Sequence, residues 1–304
     1  MLRHIFFLAL ILMIFPNLGA EAADTTRFLL SGDGVLTIRG ESLRFREGSH
    51  YNEAGLKRLN QIFGANWSAP AERLDLRFIE VLDYIQDHLK GGSYALKSGY
   101  RSPRLNQGLR AQGKLAAQSS MHIEGAAGDL LLAGVDSSSV FDFVKSLDCC
   151  GIGYYHSRHF HLDTGPSRYW DEKTSKTEDS TPQRNEKIIM QPAFDIYRPG
   201  ESVELKLMRI TEYPIGIPTR ISLVSLDGRR QPETLPLLSD SGADAGCLTL
   251  HSYLEARNRV KVSLPKNTAP GPYELRMKFC NRYDYEKMPE EIASRRFEIR
   301  KDAP

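Results

Sequence analysis

The chain has 304 residues, with 40 Lys and Arg against 38 Asp and Glu and a formal net charge of +2 at pH 7. This length exceeds the roughly 100 to 200 residues of one typical core, so two domains are expected. The basic residues are dispersed among acids, so no electrostatic footprint for nucleic acid exists and that partner is excluded. The 4 cysteines are too few for a disulfide scaffold but leave room for a bridge after export.

Residues 1–22 read as a signal peptide. Arg3 and His4 form a short polar start, Phe6 to Phe15 is apolar, and Ala20-Glu21-Ala22 fits the small-residue cleavage pattern. The apolar run is shorter than the roughly 20 residues that span a bilayer. Export and cleavage near Ala22 are therefore expected, with the mature chain in the periplasm or cell envelope.

Residues 23–170 form the first expected domain. Val35 to Phe45 holds two alternating segments that suggest a hairpin. Asn52 caps a helix with Leu56, Leu59, Ile62 and Phe63 on one face, ended by Gly64. Leu74, Phe78, Leu82, Ile85 and Leu89 recur at helical spacing in a longer helix stopped by Gly91 and Gly92. These stripes are core. Tyr94 to Tyr100 reads as a strand leading to Arg101, Pro103 opens a short helix through Arg110, and Gln112 to Ser119 reads as an exposed loop at a cleft rim.

His122 to Asp129 then reads H-x-x-G-x-A-x-D, with Gly125 and Gly128 expected to supply positive φ between a loop ligand and a strand ligand. Asp129 opens Asp-Leu-Leu-Leu, an apolar run typical of a buried strand, where a carboxylate needs a partner. After a helix carrying Val140, Phe141, Val144 and Leu147 comes Cys149-Cys150, expected to be buried or inert and not a ligand pair. Arg158 to Asp163 reads R-H-F-H-L-D, and as a strand it would place His159, His161 and Asp163 on one face. A single histidine is more often a packing residue than a ligand, but two imidazoles and a carboxylate on converging strands suit zinc with one position left open. The assignment is His122, Asp129 and His161.

The motifs Ser98-Gly99-Tyr100-Arg101-Ser102, Ser120-Met121-His122 through Asp129, Gly151-Ile152-Gly153-Tyr154-Tyr155, Phe160-His161-Leu162-Asp163 and Gly165 to Trp170 together resemble the zinc D-Ala-D-Ala metallopeptidases, and most closely their YcbK-like murein endopeptidase branch. The resemblance covers roughly Arg27 to Trp170. It implies a hedgehog/DD-peptidase-like α+β domain, Zn2+ held by His122, Asp129 and His161, peptidoglycan as the partner, and hydrolysis of peptide bonds in its stem. It also puts Arg101 beside the metal as an oxyanion and substrate residue, with Tyr100 next to it. Many relatives carry Glu or Asp where this chain has Arg158. His159 is therefore the candidate acid/base, with His156 as runner-up, and Asp163 is expected to orient one of the histidines. The amino-terminal domain of hedgehog proteins has a similar H-x-H and binds zinc without established protease activity.

Residues 171–187 lose apolar character and read as a linker. Residues 188–304 change to period two, with Val203, Leu205 and Leu207 and then Tyr273, Leu275, Met277 and Phe279 alternating between turn signals. This predicts an all-β immunoglobulin-like sandwich. It is read as a contact for the wall or for a protein partner, with Cys247 and Cys280 either paired across it or buried in its core. Two functions stay open: an exported zinc metallopeptidase cutting D-amino-acid-containing bonds, as murein endopeptidase or D,D-/L,D-carboxypeptidase, and a non-catalytic zinc-containing cell-wall binding module.

Overall fold

The computed structural model describes residues 26–113, 116–174, 183–238, 246–258 and 260–304. The expected signal peptide and the middle of the expected linker lie outside the described residues. No helix among the described residues is long and apolar enough to cross a membrane.

The first half is mixed α and β. The hairpin β1 (Val35–Ile38) and β2 (Glu41–Arg44) is followed by the short pair β3 (Arg46–Glu47) and β4 (His50–Tyr51). Helix α1 (Glu53–Phe63) is capped as expected, with the Asn52 side chain accepting from Gly55 N and Gly64 left-handed at the end. Helix α2 (Leu76–His88) starts two residues after the first apolar position of its stripe. Asp75 accepts from Arg77 N at 3.0 Å and fixes the start there. Strand β5 (Tyr94–Ser98), helix α3 (Pro103–Ala111), strand β6 (Ala127–Leu132), helix α4 (Ser137–Leu147) and strands β7 (Gly151–Tyr154), β8 (Phe160–Asp163) and β9 (Arg168–Asp171) complete this half. Its sheet has the order β2-β1-β5-β6-β8-β7-β9.

The buried faces of α1 and α2 pack with β1, β5, β6 and β8 in one apolar core that includes Leu36, Leu59, Phe78, Leu82, Leu130 and Phe160. A β6 residue alternates between this core and the opposite face, so Leu130 and Leu132 point in while Asp129 points out into the site.

The second half is all β apart from a short helix. Its strands are β10 (Ile189–Pro192), β11 (Ile196–Tyr197), β12 (Ser202–Met208), β13 (Ile215–Pro218), β14 (Arg220–Ser225), β15 (Glu233–Leu238), β16 (Cys247–Leu250), β17 (Val260–Ser263), β18 (Gly271–Lys278), β19 (Glu291–Ala293) and β20 (Phe297–Ile299). Helix α5 (Tyr253–Asn258) lies between β16 and β17. The hydrogen-bonded path runs β10-β12-β17-β15-β14-β18-β20-β11 without a break. Two sheets meet because β15 serves both, its first residues pairing with β14 and Leu237 and Leu238 pairing with β17. Val203, Leu205, Val262, Leu223, Leu275 and Phe297 from both ends of the path close on a second apolar core. Cys247 and Cys280 form a disulfide, while Cys149 and Cys150 are joined to each other and largely buried.

The two halves meet through buried polar groups. Arg77 of α2 binds Asp195 Oδ1 at 2.7 Å and the Pro192 carbonyl at 3.1 Å, and Lys206 reaches Asp75 at 2.6 Å. Glu124, two residues past His122, takes Arg257 Nη1 at 2.6 Å and the Arg209 backbone N–H at 2.6 Å. Tyr253 donates its hydroxyl to the carbonyls of Ala71 and Ile123. Met208 packs on Met121, Ala126 and Ala127. The segment carrying the first expected ligand is thus enclosed by the second half.

Candidate metal centre

Sheet register builds most of the site. In antiparallel β6 and β8 the residues Asp129 and His161 are direct cross-strand partners, Ser98 of β5 is opposite Asp129, and Gly153 of β7 is opposite His161. Parallel pairing of β7 with β9 continues the row to Trp170. Facing residues of neighbouring strands lie close together, so this row sets a carboxylate beside an imidazole. A Cβ at Gly153 would come within 2.5 Å of the Trp170 ring. Its absence lets that ring lie 5.2 Å from the His161 ring.

His122 arrives from the loop before β6. Gly125 in that loop has φ +66, and a Cβ there would meet the Arg73 carbonyl at 2.4 Å, so the turn requires glycine. Gly128 differs from the expectation. It is an ordinary strand residue of β6 packed under Phe78.

Three donors converge. His122 Nε2 lies 3.3 Å from His161 Nδ1 and 3.4 Å from Asp129 Oδ1, and His161 Nδ1 lies 2.9 Å from Asp129 Oδ1. Ligands of a tetrahedral zinc with bonds near 2.0 to 2.1 Å sit about 3.3 Å apart, so this set has the spacing for such an ion. The second ring nitrogens fit this arrangement, each facing an oxygen that can only accept. His122 Nδ1–H donates to the Gly99 carbonyl at 2.7 Å, and His161 Nε2–H donates to Asp163 Oδ2 at 2.9 Å. Each ring therefore turns its lone-pair nitrogen toward the other donors.

The electrostatics are those of a compact charged cluster. Burial pushes the His122 pKa down. Burial would do the same to His161, but Asp129 and Asp163 on either side outweigh it and hold that imidazole above its ordinary value. Both carboxyls sit below the usual carboxylate range despite burial, Asp129 through His122 and His161, Asp163 through His161 and Arg168. Arg101 binds Asp129 Oδ2 at 3.1 Å and Ser98 Oγ at 2.9 Å, leaving Asp129 Oδ1 to the histidines.

The donors open onto a cleft of about 500 Å³. Arg101 and His159 line it. His159 precedes β8 instead of lying in it, following a single turn at His156–Arg158, and its ring stacks on Tyr155 at 4.4 Å. Tyr100 and His156 are not brought to the cleft. Tyr100 turns into the first core, and His156 faces Asp171 Oδ1 at 3.1 Å. The rim expected to be exposed is partly packed, with Ala116 and Ser119 buried.

Three lining residues escaped the sequence reading. Glu172 is ion-paired to Arg158 and lies just beyond the expected domain end, while Lys187 and Arg209 come from beyond it. Arg158 carried the one available signal. A cation where relatives have an acid invites a carboxylate nearby.

Comparison with known proteins bears on this arrangement. The family model described as peptidoglycan L,D-endopeptidase MepK matches residues 22–170. The peptidoglycan L,D-endopeptidase MepK of Escherichia coli K12 is 33% identical over 144 residues, spanning 45% of this chain and 79% of the relative. The chain belongs to the MepK family. A probable peptidoglycan L,D-endopeptidase MepK of Haemophilus influenzae is 31% identical over 172 residues, 54% of this chain and 90% of the relative. The MepK match ends at Trp170, so it contains all three donors and His159 but neither Glu172 nor Arg209. Neutral ceramidase from Pseudomonas aeruginosa aligns at 17% identity and TM-score 0.20 over 37% of this chain and 19% of its own.

Proposed function

We propose that this chain is an exported, zinc-dependent endopeptidase that hydrolyses L,D peptide bonds in peptidoglycan. Family membership supports peptide hydrolysis and peptidoglycan as the substrate. The observation that carries the zinc reading is the convergence of His122 Nε2, His161 Nδ1 and Asp129 Oδ1, with the other ring nitrogen of each imidazole facing an acceptor, the Gly99 carbonyl or Asp163 Oδ2.

Zinc held by these three residues supplies Lewis-acid polarisation of a carbonyl and lowers the pKa of water to about 7. The chain's own groups do the rest. Burial lowers the His159 pKa, so its imidazole is neutral at pH 7 and ready to accept a proton, and the stacked Tyr155 ring fixes its plane. Arg101 keeps Asp129 oriented and brings positive charge to the cleft wall, where it stabilises an oxyanion. Glu172 is a second proton-accepting group in the same cleft, held by Arg158. His159 is preferred because it needs no release from an ion pair.

We further read residues 23–170 as the peptidase domain, 171–187 as a linker and 188–304 as an immunoglobulin-like module that contacts the wall or a protein partner. Two separate apolar cores support this division. The non-catalytic alternative is weakened by His159 and Glu172 lining the cleft beside the donors. Mass spectrometry of products from a defined cross-linked muropeptide tests the proposal. Scission at an L,D bond is expected, and an intact substrate after prolonged incubation with zinc-loaded protein would favour the binding module.

A further inference from the structure

The cleft contains more positive charge than the three donors and their supports use. Arg101 is ion-paired with Asp129, Arg168 grips Asp163 with both Nη atoms, and Arg158 is paired with Glu172. Arg209 differs. Its Nε donates to the Ser119 carbonyl at 3.1 Å and its Nη2 to Ser119 Oγ at 3.2 Å, and among the described residues no carboxylate hydrogen-bonds its guanidinium. Burial and the nearby Arg168 push its pKa down to about 10, against the opposing pull of the Asp163 and Glu124 carboxylates. The exposed Lys187, also on this wall, has no ion-pair partner among the described residues.

The backbone holds Arg209 in this place. It directly follows β12 with φ +63, a left-handed conformation uncommon for a residue with a side chain. Glu124 Oε1 accepts its backbone N–H at 2.6 Å. Glu124 lies in the loop between His122 and Asp129, so one contact ties the strained residue to the donor loop. Strain of this kind persists when surrounding structure over-determines it, and here it turns a guanidinium from the second half into a cleft formed by the first.

We propose that Arg209, assisted by Lys187, forms a carboxylate-binding subsite that positions the stem peptide in the cleft, so that the C-terminal half determines substrate specificity. This rests on the peptidoglycan reading and deepens it. A guanidinium bound to a neutral carbonyl and hydroxyl keeps donor capacity for a planar carboxylate, and a partly desolvated cation with Asp163 and Glu124 near but not bound to it gains from a carboxylate in direct contact. Stem peptides carry α-carboxylates that meet this need.

The test compares Arg209→Ala and Arg209→Lys with wild type on two substrates, a cross-linked stem-peptide dimer with free α-carboxylates and the same dimer with those carboxylates converted to amides. Loss of a charged hydrogen bond corresponds to about 10- to 100-fold in affinity. Wild type should therefore prefer the free acid, and Arg209→Ala should raise KM for the free acid by that factor with kcat and zinc content nearly unchanged. It should leave the amide almost unaffected, and Arg209→Lys should restore part of the preference. Equal losses on both substrates would overturn the subsite and reduce Arg209 to a brace for Ser119. If wild type cuts neither dimer, the peptidase reading fails separately, and calorimetric binding of the same two dimers to zinc-loaded wild type and Arg209→Ala decides the subsite. A free-acid preference lost in the variant upholds it, and equal binding refutes it.

Discussion

Removing Arg257 should loosen the donor loop without touching a donor. Its Nη1 lies 2.6 Å from Glu124 Oε2 and its Nη2 donates to the Glu124 carbonyl at 2.9 Å, with only 3% and 5% of the two side chains exposed. Arg257→Met keeps much of the volume but strands Glu124 as a buried carboxylate with one remaining hydrogen bond, from Arg209 N. Breaking one side of such a buried pair costs about 3 to 5 kcal/mol. Glu124→Gln with Arg257→Met removes both charges while Gln can still accept from Arg209 N, so the double variant should recover at least about 1 kcal/mol over Arg257→Met alone. Urea denaturation of both variants and wild type measures this. Zinc competition titrations should show weaker binding in Arg257→Met, because His122 lies two residues from Glu124. A loss below about 1 kcal/mol in the single variant, or a double variant no more stable than it, would refute the idea that the second half clamps this loop.

Three further outcomes are expected. Asp163→Asn removes the carboxylate that fixes His161, so zinc affinity should fall about 10- to 100-fold in a chelator competition, and unchanged affinity would contradict the assigned proton positions. His159→Ala should retain zinc yet lose roughly 100- to 10,000-fold in turnover, and wild-type activity in this variant would transfer the role to Glu172. The buried Asp83 carboxyl is pushed up from 3.8 to about 7, first by burial and then by Asp87 nearby. A raised folded-state pKa gives stability that is present below the unfolded value and lost as pH rises through 7, so Asp83→Asn should stabilise the protein more at pH 8 than at pH 4, by at most about 4 kcal/mol. Equal denaturation midpoints of variant and wild type at pH 8 would sink this argument.

Local rules made much of the first half legible in the sequence. Asn52 and Gly64 bracket α1 where capping chemistry demands, and alternation in β6 puts Asp129 outside the core. Alternation failed at His159, because the single turn at His156–Arg158 delays β8 until Phe160. It was also blind to the vicinal Cys149–Cys150 bond and to the continuity of the second sheet, since pairing partners of β15 are far apart in sequence. Arg209 was out of reach for the same reason. Its cleft position depends on the contact between two separate cores, a long-range property that no periodicity encodes.

Under the proposed function, His122, Asp129 and His161 hold a zinc ion that this chain uses to cut peptidoglycan. Digestion of purified peptidoglycan by the zinc-loaded protein, repeated after chelation and again after zinc is restored, tests it most directly. Soluble peptide products should appear, disappear with the chelator, return with zinc, and be absent for His161→Ala under every condition. Release that persists after chelation, or zinc-dependent binding to the wall without any product, would contradict it.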